Sequence, residues 1–388
     1  MFKEEKRQEK LKPLHIAMLG HKRVPSREGG VEIVVEELST RLAALGNSVT
    51  VINRRGHNVA GKEYDSSTYN TKKFNYHGVN VESVLTINRK GLAAVSSSFF
   101  ACLKAAFGKY EVVHIHAEGP AYFAGIPHLF GKRVIVTIHG LDWQRAKWGG
   151  FASKFIKNGE KHAVKYADEI IVLSKSVRDY FKKTYNRDTV FIPNGVNRPK
   201  VITPQIIKDY YGLEKNSYVL YLGRIVPEKG IHYLISAWKN IFSDKKLVIA
   251  GGASDTDEYM RKLRDLAKDD DRIIFTGFTQ GRELEELYSN AYVYVLPSDL
   301  EGMPLSLLEA MSYGNCCLTS DIEECASVID DHGLTFHKSD VDDLKSKLDE
   351  LINNPAMVEK YKSTAADFIC NKYNWDDVVE RTLELYRK

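Results

Sequence analysis

The sequence predicts an α/β protein made of two doubly wound parallel-sheet domains in tandem, and three observations carry this prediction. The chain has 388 residues, where one domain usually has about 100 to 200. Short β-branched runs alternate with stretches whose apolar residues recur at helical spacing. The runs are apolar on both faces, which is typical of parallel strands covered by helices on both sides.

In the first half, six such runs predict strands, and an amphipathic stretch between the first two predicts a helix. The helix is expected over 31–45, because its apolar residues recur on one stripe. The expected strands are Leu14–Leu19, Val49–Asn53, Val112–His116, Val134–His139, Ile170–Ser174 and Val190–Pro193.

After Pro193-Asn194-Gly195 the pattern lapses and then starts again. Three helical patterns close the chain, and the last is expected over Trp375–Lys388. The predicted boundaries are therefore 1–196 and 197–374 for the two domains, with 375–388 as a terminal helix. The strands expected in the second half are Val219–Leu222, Leu247–Ala250, Ile273–Thr276, Val293–Leu296 and Cys317–Ser320.

Composition limits the classes of protein. With 43% hydrophobic and 27% charged residues, the chain is typical of globular proteins and unlike collagen-like or disordered chains. No apolar run reaches the roughly 18 residues of a spanning helix, and the charged segment 1–12 has no apolar stretch of the secretory kind behind it. The five cysteines include no C-x-x-C pair, which argues against a disulfide framework or a zinc site. These signs predict a cytoplasmic protein.

The net charge of +4 hides a division between the halves. Residues 1–200 hold 33 Lys and Arg against 18 Asp and Glu, a net +15, and the remainder has a net −11. A basic half could meet nucleic acid, anionic lipid or a phosphorylated ligand. The Lys and Arg residues are spread over predicted strands and helices and form no basic tail. We therefore expect a positive electrostatic potential over the surface of this half and no nucleic-acid partner.

Two segments, 89–110 and 145–165, interleave aromatic and basic residues. They predict docking of the basic half on an anionic membrane, at the inner face of the cell membrane. In the alternative, the aromatic rings fill the core and the lysines are simply solvated. The residues are Phe99, Phe100, Phe107, Trp148, Phe151 and Phe155, with Lys104, Lys109, Lys147, Lys154, Lys157 and Lys161.

Ligands of open parallel sheets bind outside the carboxyl ends of the strands. This rule selects the loops 20–30, 139–143, 223–229, 251–252 and 297–309, so both halves are expected to offer loops to one cleft. Gly29-Gly30 directly precedes the first helix, where free amides could meet a phosphate; a plain turn is the alternative. No G-x-G-x-x-G or P-loop pattern occurs, so dinucleotide and P-loop sites lose support.

Arg224 and Lys229 stand between a strand end and the next helix, where two cations would match a diphosphate. A solvated surface pair is the alternative.

The segment 297–311 predicts a strand end, a tight approach at Gly302 and a helix with Pro304 at its first position. Glu301 then precedes the helix and Glu309 lies inside it. The two carboxylates are too far apart to form a close dyad. They would instead accept hydrogen bonds from hydroxyls on separate parts of one long ligand. Alternatively, Glu301 only complements the helix dipole and Glu309 is solvated.

His139 ends a predicted strand, and an imidazole there can orient hydroxyls or polarise a carbonyl. His114 and His116 share a similar strand end, but packed, hydrogen-bonded side chains are expected at both. Their H-x-H pattern lacks a third ligand at suitable spacing, so no metal site is expected.

Together these residues resemble the retaining glycosyltransferase family 4, whose members have the GT-B fold, and almost the whole chain takes part. The stretch 23–30 is similar to that of a subgroup of bacterial polysaccharide transferases. The matching features are Gly29-Gly30, the strand 112–116, Thr137-Ile138-His139-Gly140, the segment 192–196, Gly223-Arg224 with Glu228-Lys229-Gly230, and the E-x7-E motif from Glu301 to Glu309.

The resemblance implies an enzyme that moves a sugar from a nucleoside diphosphate sugar to a hydroxyl of a glycan or lipid-linked acceptor, in cell-surface polysaccharide synthesis. It implies an acceptor-side N-terminal domain, a donor-binding C-terminal domain, a final helix that crosses back, and no metal or other cofactor. By this resemblance, Arg224 and Lys229 hold the diphosphate, with Gly30 beside it. Glu301 contacts the donor sugar, Glu309 binds the ribose, and His139 lies at the reaction centre. Leu305 and Ser306 contact the donor from the start of the helix.

Two alternatives stay open at this point. A nucleotide-sugar epimerase of the same fold would bind a similar donor and need no acceptor. A catalytically silent scaffold would bind a sugar nucleotide or a membrane and recruit partners.

Overall fold

The computed structural model describes residues 12–56, 72–89, 91–144, 149–252 and 257–388. These residues form two β-sheets, one in each half of the chain, with helices between the strands. The predicted α/β fold with two mainly parallel sheets is confirmed.

The N-terminal sheet has the strand order β3-β4-β2-β1-β5-β6-β7-β8. Neighbouring strands are parallel except for β3, which is antiparallel to β4. The six predicted strands are present: β5 has the predicted bounds, and the ends of the other five differ by one or two residues. The strands are β1 His15–Leu19, β2 Ser48–Arg54, β3 Lys73–Tyr76, β4 Val79–Val84, β5 Val112–His116, β6 Arg133–Ile138, β7 Glu169–Val172 and β8 Val190–Phe191.

The C-terminal sheet has the order β11-β10-β9-β12-β13-β14 and is parallel throughout. Its central strands are fully buried, as the continuous apolar runs predict. The strands are β9 Tyr218–Leu222, β10 Lys246–Ala250, β11 Ile273–Gly277, β12 Val293–Leu296, β13 Cys316–Ser320 and β14 Leu334–Phe336.

The sequence reasoning missed β3, β4 and β14. The strands β3 and β4 form the edge of the sheet, and polar residues alternate with apolar ones along both. A run of only three residues, as in β14, is too short to be told from a loop by periodicity.

Helices follow most strands and cover both sheets. The first helix begins at Gly30 and not Val31, with Gly29 as its N-cap. The helices are α1 Gly30–Ala44, α2 Leu92–Phe107, α3 Glu118–Ala121, α4 Gly125–Leu129, α5 Gly150–Tyr166, α6 Lys175–Tyr185, α7 Ile206–Tyr211, α8 Ile231–Trp238, α9 Asp257–Ala267, α10 Gly281–Asn290, α11 Leu305–Ser312, α12 Glu323–Ile329, α13 Val341–Asn353, α14 Pro355–Lys372 and α15 Trp375–Arg387.

Alternate residues of β1 show how the first sheet is buried on both faces. Ile16 and Met18 pack with the apolar side of α1, whereas Ala17 and Leu19 pack with residues of α2 on the other face. All four side chains are fully buried, so a polar substitution on either face would be destabilising.

The terminal helix α15 packs on the N-terminal half of the chain. The backbone pairs Val196 with Asn374 just before this helix. The hydroxyl of Tyr386 lies 2.6 Å from Nδ1 of His114, and Nε of Arg133 donates to the carbonyl of Leu385 at 2.8 Å. The terminal helix is thereby joined to strands β5 and β6 of the first sheet. None of the helices in the described ranges is long and apolar enough to cross a membrane.

Candidate active site

A cleft of about 590 Å³ lies between the carboxyl edges of the two sheets. Both halves line it, as the strand-end rule predicts. It brings together all eight residues that the sequence nominated: Gly30, His139, Arg224, Lys229, Glu301, Leu305, Ser306 and Glu309.

The two halves meet where Gly30 faces Leu305. Gly30 is the first residue of α1, and a Cβ at this position would lie 3.4 Å from Cδ1 of Leu305. The helix α11 begins at Leu305, so the N-termini of α1 and α11 approach each other from opposite domains. Helix N-termini present free amides and a partial positive charge, which suits an anionic ligand.

The helix start of α11 differs in detail from the prediction. Pro304 is the N-cap, and Leu305 is the first helical residue. The amides of Leu307 and Leu308 donate to the carbonyl of Pro304. Among the described residues, the amides of Leu305 and Ser306 have no hydrogen-bond acceptor, as is usual in the first turn of a helix.

Lys229 and Glu301 form an ion pair. The sequence had suggested separate roles for them, Lys229 at the diphosphate and Glu301 at the donor sugar. Nζ of Lys229 donates to Oε1 of Glu301, which also accepts from Oγ of Ser298 at 2.7 Å. Only 11% of the Lys229 side chain and 8% of the Glu301 side chain is exposed. The ion pair is thus largely shielded from water and is not a solvated surface contact.

A glycine turn produces this approach. Residues 227–229 form a 3-10 turn and not the start of α8, and Gly230 then adopts a left-handed conformation with φ of 66°. A Cβ at Gly230 would lie 1.9 Å from the carbonyl oxygen of Pro297. Glycine is therefore required on both conformational and steric grounds, and it brings the Lys229 turn against the Glu301 loop.

Arg224 is a cleft cation that the protein leaves available for a ligand. Its carbonyl accepts from the buried Tyr221 hydroxyl at 2.8 Å, which fixes its backbone. Across residues 12–56, 72–89, 91–144, 149–252 and 257–388, its guanidinium makes no hydrogen bond within 3.5 Å or ion pair within 4.0 Å. A planar guanidinium in a cleft suits bidentate binding of phosphate.

Glu309 lies one turn inside α11, with its side chain 25% exposed. Its carboxylate accepts from the hydroxyl of Tyr288 at 3.3 Å and lies 3.8 Å from a guanidinium nitrogen of Arg27. Burial raises the pKa of the Glu309 carboxyl, and Arg27 opposes this shift. Arg27 belongs to the N-terminal half, so this contact spans the cleft.

His139 follows β6 and stands at the end of a row of histidines. Its Nε2 shares a hydrogen bond of 3.1 Å with Nδ1 of His116. The His116 ring stacks on His114 at 4.1 Å, and Nε2 of His114 bonds Oγ1 of Thr137 at 2.7 Å. Burial lowers the pKa of His116 well below its usual value and that of His114 to about 3. Both imidazoles are therefore neutral at pH 7.

The His139 loop touches the Glu301 loop directly. A Cβ at Gly302 would lie 1.7 Å from the carbonyl oxygen of His139 and 3.2 Å from Cα of Gly140. No side chain fits between these two backbones. The absence of a Cβ at Gly302 therefore sets the separation of the two halves at the centre of the cleft.

We expect Gly302→Ala to push these loops apart and to lower kcat/KM for the reaction carried out in the cleft by about a hundredfold, because displacements of about 1 Å have effects of this size. Gly150→Ala is the matched control, since a Cβ there meets nothing within 4 Å. Steady-state kinetics, with melting temperatures to verify folding, would check this. A Gly302→Ala enzyme with wild-type kcat/KM would show that the close contact is unimportant.

The sequence reasoning missed three cleft residues with basic side chains, Lys22, Arg27 and Arg54. Lys22 and Arg54 lie at the carboxyl ends of β1 and β2, where ligands of parallel sheets bind, so both residues could have been predicted from their positions. Arg27 lies within the recognised stretch 23–30 but was given no role. For metals, the described ranges contain no group of three His, Cys, Asp or Glu side chains placed to hold an ion.

Sequence comparison matches both halves of the chain to known families. A family model described as Glycosyltransferase Family 4 matches residues 28–198, and one described as Glycosyl transferases group 1 matches residues 205–375. An uncharacterised glycosyltransferase of Methanocaldococcus jannaschii is 26% identical, over 96% of this chain and 98% of the relative.

Solved structures share the whole fold. Sucrose-phosphate synthase from Thermosynechococcus elongatus superposes with a TM-score of 0.83 at 21% identity, covering 97% of this chain and 98% of that one. HepE of Anabaena, in complex with UDP and glucose, gives a TM-score of 0.77 at 15% identity, covering 96% and 98%. At these identities the likeness concerns the fold.

Proposed function

Because the chain belongs to the family 4 glycosyltransferases and has the GT-B fold, we propose that it is a retaining hexosyltransferase of cell-surface polysaccharide synthesis. Its donor is a nucleoside diphosphate sugar, and its acceptor is a hydroxyl of a glycan or a lipid-linked sugar. The observation that carries the proposal is the cleft, in which an available guanidinium, an ion-paired lysine and a free helix N-terminus converge.

The residues of the C-terminal half stabilise the departing nucleoside diphosphate. Negative charge develops on the leaving phosphate as the glycosidic bond breaks, and preorganised cations and amides stabilise it most where water is excluded. Arg224, Lys229 and the amides of Leu305 and Ser306 fill this role. Gly30 allows the phosphate to lie against the start of α1. Glu309 binds the ribose of the nucleotide.

Glu301 orients the donor sugar through its hydroxyls. Its carboxylate already accepts from Lys229 and Ser298, and such bonds lower the reactivity of a nucleophile. This supports a front-face process, in which the acceptor oxygen attacks on the side of the leaving phosphate and the phosphate accepts the proton. His139 lies at the reaction centre, held by His116.

No metal is required in this mechanism, since the cations of the protein neutralise the diphosphate. Turnover is expected to be unchanged by EDTA and by added magnesium. Initial rates in both conditions test this, and a strict requirement for magnesium would contradict the proposed role of Arg224 and Lys229.

The experiment that tests the function is a panel of UDP, GDP and ADP and their sugars, scored by thermal stabilisation and then by turnover with lipid-linked acceptors. Transfer with retention of the anomeric configuration, read by NMR of the product, supports the proposal. Stabilisation without any turnover would favour the silent scaffold. Isomerisation of the donor without an acceptor would favour the epimerase.

We also propose that the basic half docks on the anionic inner face of the membrane, to reach a lipid-linked acceptor. On α5, Lys154 and Lys161 are exposed. Phe107 of α2 is also exposed. Two members of the predicted set pack against neighbouring rings: Phe155 stacks on Tyr122 at 4.6 Å, and Lys157 lies over the Trp143 ring at 3.9 Å. Lys147, Trp148 and the Phe151 side chain lie outside the described residues.

Flotation with anionic liposomes tests the docking. Lys154→Glu/Lys161→Glu is expected to release the protein, because each cation near the surface contributes about 1 kcal/mol at low salt. Lys262→Glu/Lys268→Glu is the matched control and should float like the wild type, because both residues are exposed in the other domain, one on α9 and one directly after it. Absence of flotation of the wild type at low salt would leave a soluble acceptor as the better hypothesis.

A further inference from the structure

The N-terminal wall of the cleft contains two cations that the proposed chemistry does not use. Lys22 lies in the loop after β1, and Arg54 is the last residue of β2. Both line the cleft. Their backbones are joined, since the amide of Arg54 donates to the carbonyl of Lys22 at 2.9 Å.

The loop that carries Lys22 is firmly held. Oδ1 of Asn53 accepts from the amide of Val24 at 3.0 Å and bonds Nε2 of His21 at 2.9 Å, while Nδ2 of Asn53 donates to the carbonyl of Val24 at 2.9 Å. His21 is buried and its pKa is lowered to about 4 by that burial. It is therefore neutral at pH 7 and adds no charge beside Lys22.

Among the described residues, the nearby carboxylate of Glu32 forms no ion pair with either cation. Oε1 of Glu32 accepts from the backbone amide of Lys22 at 2.9 Å. In the part of the chain that the structure describes, neither the Lys22 nor the Arg54 side chain makes a hydrogen bond within 3.5 Å or an ion pair within 4.0 Å. Burial lowers the pKa of the Lys22 ammonium and of the Arg54 guanidinium. The positive charges of Arg54 and Arg224 lower the pKa of Lys22 further, whereas the negative charges of Glu32 and Glu28 raise it.

Two partly buried cations side by side repel each other and lose hydration, so a bound anion would stabilise both. Arg offers a planar fork and Lys a compact charge, which together suit the several oxygens of a phosphate. We infer that Lys22 and Arg54 form a second anion subsite, which binds a phosphate group of the acceptor. The inference rests on the proposed transfer reaction.

The position of the pair favours the acceptor over the donor. Lys22 and Arg54 extend from β1 and β2 of the N-terminal sheet, whereas Arg224, Lys229 and the α11 amides belong to the other sheet. The cleft thus contains basic groups on both walls. Phosphate could reach the N-terminal wall as a soluble sugar phosphate or as the diphosphate of a lipid-linked sugar.

Titration calorimetry of the full chain, saturated with the nucleoside diphosphate that binds best, tests this subsite. The probes are glucose 6-phosphate, with glucose as its uncharged counterpart, and farnesyl diphosphate in detergent. We expect at least one phosphate probe to bind, and Lys22→Gln and Arg54→Gln each to weaken it about tenfold to a hundredfold. Which probe binds identifies the soluble or the lipid source.

Arg55→Gln is the matched control, because it removes the same charge from the next residue, which is exposed and outside the cleft lining. It should bind the probes as the wild type does. Melting temperatures would verify that each variant folds.

Three results would overturn the subsite. These are no binding of either phosphate probe to the wild-type complex, equal loss in Arg55→Gln, or a larger loss of nucleotide affinity than of probe affinity in Arg54→Gln. Failure of the proposed transfer reaction would look different, since no acceptor would then turn over whatever the titrations report.

Discussion

Replacing Arg224 and Lys229 together with alanine is expected to weaken binding of the nucleoside diphosphate by about 10² to 10⁴-fold. Each charge-assisted hydrogen bond contributes about 1.5 to 3 kcal/mol, and about 1.4 kcal/mol corresponds to a factor of ten in affinity. Calorimetric titration of the folded double variant measures the loss. Arg261→Ala/Lys268→Ala should bind as tightly as the wild type, because these exposed residues of the same domain lie on α9 and directly after it.

The single variants should differ from each other. Arg224→Ala removes a cation with no protein partner among the described residues, so only ligand binding should suffer. Lys229→Ala also leaves the Glu301 carboxylate, 8% exposed, without its cation, and an uncompensated buried charge destabilises the fold. A lower melting temperature is therefore expected for Lys229→Ala alone. Unchanged diphosphate affinity in the folded double variant would disprove the phosphate clamp.

The second large effect is expected at the centre of the cleft, where His139→Ala and Glu301→Gln should reduce kcat by about 10² to 10⁴-fold. These side chains are proposed to act on the sugar, so the affinity for the nucleoside diphosphate should change less than tenfold. Glu309→Gln should do the reverse and chiefly weaken donor binding. Single-turnover rates at saturating donor, beside nucleotide titrations, separate the two. Wild-type turnover in either of the first two variants would remove its catalytic role.

His116 provides a structural control for the His139 prediction. It bonds His139 through Nδ1, and the side-chain amide of asparagine can occupy the same position. We therefore expect His116→Asn to retain most of the activity and His116→Leu to lose it, although both replace a buried imidazole. Equal loss in both variants would indicate that His116 only fills space.

The repetitive part of the fold was predictable from the sequence, because a buried parallel strand must be apolar on both faces. Eleven predicted strands, from Leu14–Leu19 to Cys317–Ser320, coincide with strands of the two sheets. The strands β3 and β4 were missed because they form a hairpin at the sheet edge and contain polar residues. The strand β14 was missed because three residues are too few to show a hydrophobic pattern.

The members of the site were also predictable, because strand ends and helix starts are read from the chain and the sheet places them at one edge. All eight nominated residues line the cleft. Their partners were not predictable. Lys229 and Glu301 are 72 residues apart and meet only because Gly230 and Pro297 touch, and Arg27 faces Glu309 only because the two sheets oppose their carboxyl edges.

The sequence by itself thus determined the βα repeat, the two sheets and the chemical groups at their carboxyl ends, since these follow from local periodicity and residue type. Only the tertiary structure decided which of those groups are already satisfied and which are left for a ligand. The reason is physical: an ion pair, a row of hydrogen-bonded histidines or two adjacent cations without a carboxylate partner depend on distances in the folded cleft, and backbone contacts such as that of Gly302 with His139 set those distances.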